Sequence, residues 1–357
     1  MNVLMIGVDD ASVGGMLTVV NNYRTNEYFC KKTNLQYIAT VIRANKLKKI
    51  TTFISKIPEI IFTIKNKKID IVHVHMAERG SVYREGMVVL IARAMGCKTV
   101  IHMHGANIET WYDNRVALNK MLISWIFNQA DRMIILGENW RPFMERVMRG
   151  HEDKIRVLHN AVQVESCDMA NENARNILFY GMLIQRKGID DLLEAFSSLI
   201  REIPDDICLT LYGDDHDADE KIQTKIAKYD ASNRIKYQGW LTEENRREVF
   251  HNSLINVLPS YNEGLPMTIL ESMGYGIPNI ATNIAAIPEA IDNGMNGFVI
   301  QPGNVRELKD SMKKLVTDKD LWKKFSENAY NDAKNKFSIQ AHISTLLKIY
   351  NQLLEIN

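Results

Sequence analysis

Runs of apolar, β-branched residues recur along the chain and are separated by helix-length segments. In the first half such runs predict strands at 2–8, 35–41, 69–75, 99–104 and 132–136. Strands buried on both faces read as continuous apolar runs, and parallel strands need crossover helices, so this rhythm predicts an open, doubly wound parallel sheet. Between 160 and 173 the sequence turns polar and aperiodic (NAVQVESCDMANEN), and the rhythm then restarts with strands expected at 176–180, 208–212, 234–237, 255–258, 277–281 and 297–300. Helices are expected at 190–202 and 242–252, and a last one over 339–356. The fold class is therefore α/β, with two Rossmann-like domains: 1–160, then 161–337, with 338–357 as a terminal helix that packs back toward the first domain. Open α/β sheets bind ligands at the carboxyl ends of their strands, so two such domains would face each other across a ligand cleft.

The chain has 357 residues, 46% hydrophobic and 24% charged, a soluble globular composition long enough for two cores. Its net charge of +1 conceals a split. Residues 1–160 hold 23 Lys and Arg against 14 Asp and Glu, a net of +9, and the remaining 21 against 29 leave −8. A basic first half suits an anionic surface or ligand. Cys30, Cys97, Cys167 and Cys208 are far apart with no CxxC pair, which argues against a disulfide framework or a cysteine zinc site and fits a reducing cytoplasm. MNVLMIGVDD lacks a basic leader and no apolar run approaches 18 residues, so neither a signal peptide nor a spanning helix is expected.

The most informative stretch is 259–278, PSYNEGLPMTILESMGYGIP. A strand runs into a loop carrying Glu263, Gly264 and Leu265, and Pro266 opens a helix beginning near Met267. The first-turn amides of Met267, Thr268 and Ile269 would form an anion site suited to a diphosphate. Glu263 and Glu271 are eight residues apart, roughly 12 Å if the whole interval is helical. That span would let one carboxylate accept from sugar hydroxyls and the other from a ribose. Taken alone, the pair also fits a solvated amphipathic helix.

This segment resembles the Glu-x7-Glu signature of the retaining glycosyltransferases of family 4, which have the GT-B fold. Segments on either side of it are similar to that family in order: GMLIQRKG at 181–188, LTLYGD at 209–214, YQGWL at 237–241, IPEAI at 287–291 and NGFVIQPGN at 296–304. The resemblance implies a retaining hexosyltransferase that uses a nucleotide diphosphate sugar. Arg186 and Lys187 would hold the donor diphosphate, with Glu263, Gly264, Leu265, Pro266, Met267 and Glu271 completing the donor site. The chain departs from the family in two places: Met182 replaces its usual Arg, and Ala285-Ala286 replaces a Gly-Gly.

In the first half, Gly14-Gly15 follows a strand and opens a helix, and the family uses a comparable loop near the donor phosphate. No GxGxxG is present, which counts against a nicotinamide dehydrogenase. Two His-x-His pairs, His73/His75 and His102/His104, end predicted strands, and period two puts each pair on one face. His104-Gly105 resembles the family's histidine-glycine step, so His104 receives a catalytic place near the transferred sugar beside Glu263 and Lys187, and the other three are read as structural. The acidic run DDHDADE, 214–220, fails as an EF-hand loop and is read as a solvated turn.

Residues 44–68 carry seven lysines against Glu59 alone. Apolar Ile50, Phe53, Ile54, Ile57, Ile61 and Ile64 keep helical spacing, and Pro58 should kink or restart that helix. Such a segment can meet an anionic membrane or pack on the sheet with its lysines in water.

Together these readings give an enzyme working on a nucleotide sugar donor, UDP-linked in preference to GDP-mannose. Its acceptor would be a lipid-linked or growing glycan of O-antigen, capsule or exopolysaccharide synthesis, met at the inner face of the cell membrane. No cofactor and no metal is expected, and no nucleic acid. Three alternatives stay open: an epimerase or hydrolase of the same fold, a non-catalytic sugar-nucleotide binder, and a zinc hydrolase built on the His-x-His pairs, which would need further ligands and a barrel.

Overall fold

The computed structural model describes residues 1–355 apart from 13, 43, 165–170, 216, 217, 219 and 231. Cys167 and part of the 214–220 acidic run fall outside the described residues. The chain forms two compact units: Met1–Asn160 with Ile339–Asn357, and Ala161–Ser338.

The first unit holds β1 (Val3–Val8), β2 (Gln36–Val41), β3 (Ile71–Met76), β4 (Lys98–Met103), β5 (Arg132–Ile135) and β6 (Ile155–Val157). They form one parallel sheet in the order β2-β1-β3-β4-β5-β6. β3 is buried at every position, its two histidines included. The helix Gly15–Arg24 connects β1 to β2. Three others connect strands that advance the opposite way: Lys46–Asn66 before β3, Gly80–Ala94 before β4 and Ala117–Asn128 before β5. Right-handed crossovers put these three on one face and Gly15–Arg24 on the other. Ile339–Glu355 also packs within this unit, where Tyr350 and His342 bond to His73 and Tyr23.

The Lys46–Asn66 helix does not restart at Pro58, which lies exposed inside it. Phe53, Ile60 and Ile64 bury one face on either side of the proline, so packing outweighs the one lost backbone bond. The expected single apolar face also divides: Phe53 and Ile64 turn inward, whereas Ile50, Ile54 and Ile61 are exposed.

The second unit holds β7 (Asn176–Tyr180), β8 (Cys208–Tyr212), β9 (Ile235–Tyr237), β10 (Ser253–Leu258), β11 (Asn279–Thr282) and β12 (Gly297–Ile300), parallel in the order β12-β11-β10-β7-β8-β9. The central strand β10 is wholly buried and feeds the helix Met267–Gly274. A buried polar knot fixes that helix on the sheet. Asn256 Nδ2 donates to Asn279 Oδ1 at 2.7 Å, Ser272 Oγ donates to the same oxygen at 2.8 Å, and Asn279 Nδ2 donates to the Ile277 carbonyl at 3.1 Å. Satisfied networks of this kind specify one arrangement of the elements they join.

Candidate functional site

The carboxyl end of β10 opens into the loop that carries Glu263, and Pro266 caps the Met267–Gly274 helix. Ile269 N–H turns back to the Pro266 carbonyl at 3.3 Å, so the anion-facing donors of this turn reduce to the Met267 and Thr268 amides. The helix starts four residues after Glu263, so the 12 Å helical rise expected between the two glutamates does not apply. Glu263 sits on the loop, and Glu271 is the fifth residue of the helix.

Glu263 is buried, and its Oε1 accepts from Lys187 Nζ at 2.5 Å and from Ser260 Oγ at 2.7 Å. Arg186 Nη1 donates to the Asn262 carbonyl at 2.6 Å, and Tyr261 N–H donates to the Arg186 carbonyl at 2.8 Å. The 184–188 turn and the 260–263 loop are thus zipped together, which brings Arg186, Lys187 and Glu263 into one cluster. Gly188 makes this approach possible: its φ is +71°, and a Cβ there would lie 2.0 Å from the Pro259 carbonyl oxygen.

Glu271 is gripped by two residues the sequence reading missed. Tyr180, the last residue of β7, donates its hydroxyl to Glu271 Oε2, and Arg246 Nη1 donates to the same oxygen at 2.8 Å. Burial first, then the Glu271 carboxylate beside it, push the Tyr180 hydroxyl well above the usual phenol range, so it stays protonated and a donor. Their contacts span 91 and 25 residues, and neither lies in a motif; strand-end position for Tyr180 was the only available signal.

Ala285 takes φ +47°, the left-handed region, where the family places glycine. The next residue, Ala286, donates its N–H to the Gly264 carbonyl at 3.3 Å.

In the first unit Gly14 has φ +114° and precedes the Gly15–Arg24 helix, with open space where a Cβ would stand. The four histidines gather on one sheet face. His73 and His75 stack at 4.8 Å between centroids, His102 and His104 lie 4.3 Å apart, and His75 Nδ1 pairs with His104 Nε2 at 2.8 Å. Only His104 of the four is partly accessible. His342 Nδ1 must donate to the His159 carbonyl at 2.7 Å, so its Nε2 accepts from the Tyr23 hydroxyl at 2.5 Å. Burial pushes the imidazoles of His73 and His104 down to about 3 and that of His342 to about 4.

Candidate ligand nitrogens of His73, His75 and His102 lie within 4.8 Å of one another. The zinc hydrolase alternative required a barrel around them, and the structure has two open sheets instead.

Two family models match the chain in succession: "Glycosyltransferase Family 4" over residues 23–166 and "Glycosyl transferases group 1" over 168–332. The chain belongs to the glycosyltransferases of family 4 and group 1. This glycosyltransferase is 24% identical over 375 residues to a 41.2 kDa protein of the cps region of Klebsiella pneumoniae, covering 98% of this chain and 99% of that one. It is 25% identical over 304 residues to an Escherichia coli UDP-Gal:alpha-D-GlcNAc-diphosphoundecaprenol alpha-1,3-galactosyltransferase, covering 80% and 76% of the two chains. Among solved structures, Anabaena HepE in complex with UDP superposes with a TM-score of 0.76 at 14% identity, covering 99% of this chain and 100% of that one. The glycosyltransferase has the GT-B fold.

Proposed function

We propose that this glycosyltransferase moves a hexose from a UDP-linked sugar, with retention of configuration, to a hydroxyl of a lipid-linked glycan in surface-polysaccharide synthesis. The observation that carries the reading is the convergence of Arg186, Lys187 and Glu263 at the mouth of the Met267–Gly274 helix, with Glu271 held further along it. In this reading the Met267 and Thr268 amides and the Arg186 and Lys187 cations take the diphosphate, the work a divalent metal does elsewhere. Gly264, Leu265 and Pro266 shape the donor loop, Glu263 accepts from the sugar hydroxyls, and Glu271 accepts from the ribose. In the first unit, the Gly14-Gly15 turn is assigned to phosphate and His104 to the transferred sugar.

The acceptor oxygen bonds to the anomeric carbon as the bond from that carbon to the phosphate oxygen breaks. The departing phosphate takes the acceptor proton on the same face, so no protein base is required. The relatives favour this donor and acceptor class: one is named for UDP-galactose and a diphosphoundecaprenol acceptor, and another was crystallised with UDP. The basic segment 44–68 is assigned to the inner face of the cell membrane, where such an acceptor resides.

A thermal-shift screen of nucleotide sugars tests the donor, since a ligand that binds the native state raises its melting temperature. A shift with UDP and UDP-hexoses is expected. No shift with any nucleotide would sink the reading, and donor turnover without acceptor would convert it to a hydrolase or epimerase.

A further inference from the structure

Sixteen large apolar residues are exposed among the described residues, and eleven of them lie on three helices of the first unit, with a twelfth at the cap of one. Leu47, Ile50, Ile54, Ile61 and Phe62 stand on Lys46–Asn66, Tyr83 and Met87 on Gly80–Ala94. Leu118, Met121, Leu122 and Trp125 form an i, i+3, i+4, i+7 stripe on Ala117–Asn128, with Val116 at its cap. The three helices share one face of the sheet, the first packing on the second and the second on the third. Gly86 sits so close to Ile126 that a Cβ there would meet Cγ2 at 2.6 Å.

Each helix already buries an inward face, so the outward residues are surplus to the core. Phe53, Ile60 and Ile64 face inward on the first helix, Val88 and Val89 on the second, Ile123 and Phe127 on the third. Exposed apolar side chains gathered on three neighbouring helices mark an interaction site.

The charges on these helices select its occupant. Their sequences hold eight Lys and Arg and two acids. One acid, Glu85, is buried against Thr40, Ser81 and Arg84; the other, Glu59, is paired with Lys56 at 2.7 Å. A second copy would bring lysine rows against lysine rows, because a two-fold interface pairs a surface with itself. Apolar side chains and a tryptophan among unopposed cations instead match an anionic lipid surface.

We infer that this three-helix face is a lipid-docking surface, with the Leu118–Trp125 stripe entering the headgroup and acyl boundary and the lysines of 46–66 held at the phosphates. The inference deepens the membrane-held acceptor proposed above and rests on it, but it relocates the apolar contact from the basic segment alone to a helix that carries no acid. The first two helices follow the carboxyl ends of β2 and β3, so Leu47, Ile50 and Tyr83 lie toward the end of the sheet where α/β folds bind ligands; the third follows β4 after the short helix Ile108–Asp113. A lipid-linked acceptor would arrive at that end already tethered.

The test uses the full chain and sedimentation with vesicles of phosphatidylcholine alone or of equal parts phosphatidylcholine and phosphatidylglycerol. Binding is expected to the anionic vesicles and to weaken with salt. The triple variant Leu118→Ser, Met121→Ser, Trp125→Ser is expected to bind about tenfold more weakly, as is Lys48→Gln, Lys49→Gln, Lys65→Gln, with the UDP-induced thermal shift unchanged in both. Should the apolar triple fail to fold, tryptophan emission decides: a blue shift on adding anionic vesicles to the wild-type protein, reduced in Trp125→Phe, supports the surface. Absence of wild-type binding to anionic vesicles overturns it, as does undiminished binding of both variants. So does a dimer that the apolar triple converts to monomers, which would make the face a protein interface. Failed vesicle binding with an intact UDP shift removes this surface alone, whereas a missing UDP shift removes the donor reading and leaves the vesicle result standing.

Discussion

Lys187 Nζ donates to Glu263 Oε1 at 2.5 Å, and both side chains are largely shielded from water. The two charges therefore cancel locally. A donor diphosphate would draw on a lysine that is held in place by its counter-charge, and the glutamate would be aimed by the lysine and by Ser260. Removing either partner strands the other in a poorly hydrated place. Glu263→Ala and Lys187→Ala are each expected to cost about 3 kcal/mol in urea unfolding, and the double variant distinctly less than their sum. Strict additivity would show that the pair carries no coupling. Glu263→Gln, which preserves shape, is expected to fold normally and to lose about a hundredfold in transfer, with UDP affinity less affected.

Glu271 is positioned by Tyr180 and Arg246. Calorimetric titration with UDP should give about tenfold weaker binding for Glu271→Ala, because one carboxylate hydrogen bond to a ligand is worth roughly 1.5 kcal/mol. Arg246→Ala should weaken UDP binding by a smaller factor through loss of aim. Equal affinity in wild type and Glu271→Ala would remove Glu271 from the nucleoside site.

The histidine cluster should make the first unit acid-sensitive. His73, His104 and His342 are held neutral by burial, with values near 3, 3 and 4 against an unfolded value near 6.5. The unfolded chain thus binds more protons than the folded one as pH falls below about 6.5. Stability is complete above that pH and declines toward pH 4, by up to about 1.4 kcal/mol per unit for each such histidine. Melting temperatures from pH 8 to pH 4 check the sign; a flat profile below pH 6.5 contradicts it.

Ala285 occupies a backbone region that costs a Cβ-bearing residue roughly 1 kcal/mol. Ala285→Gly is expected to raise the melting temperature slightly, the relief of strain being partly offset by the entropy of the unfolded glycine. A lower melting temperature would mean that the alanine methyl makes packing contacts worth more than the strain.

Asn279 is fully buried and accepts from both Asn256 and Ser272. Asn279→Ala leaves Asn256 Nδ2 only the longer contact to Ser272 Oγ at 3.3 Å, while the Ser272 hydroxyl keeps the Ile269 carbonyl at 2.8 Å, and should cost about 1 kcal/mol, read as a lower urea midpoint at unchanged slope. An unchanged midpoint would rule out the knot as what seats the Met267–Gly274 helix.

The strands were legible because a parallel strand buried on both faces writes itself as a continuous apolar run, as in VLMIGV; IVHVHM keeps the β-branched residues but is broken by two buried histidines. β6 was missed because three residues, IRV, are too short to make a pattern. The Pro259–Pro278 segment announced a strand, loop and helix through its punctuation. It could not reveal that Lys187 closes on Glu263, since the two are 76 residues apart and each also fits an exposed position. Helical periodicity likewise marked the apolar positions of 46–66 without separating Phe53, which faces the core, from Ile54, which faces outward, because adjacent residues are only 100° apart on a helix.

The Ile339–Glu355 helix supplies Tyr350 to His73 and His342 to Tyr23, so strands of the first unit are sealed by residues made only after the whole 161–338 unit. Until residues 339–355 emerge, the imidazole-lined side of β3 and β4 has Tyr23 but lacks Tyr350 and His342, while the intervening 161–338 unit has all its own parts. Biosynthesis would therefore complete the second unit before the first.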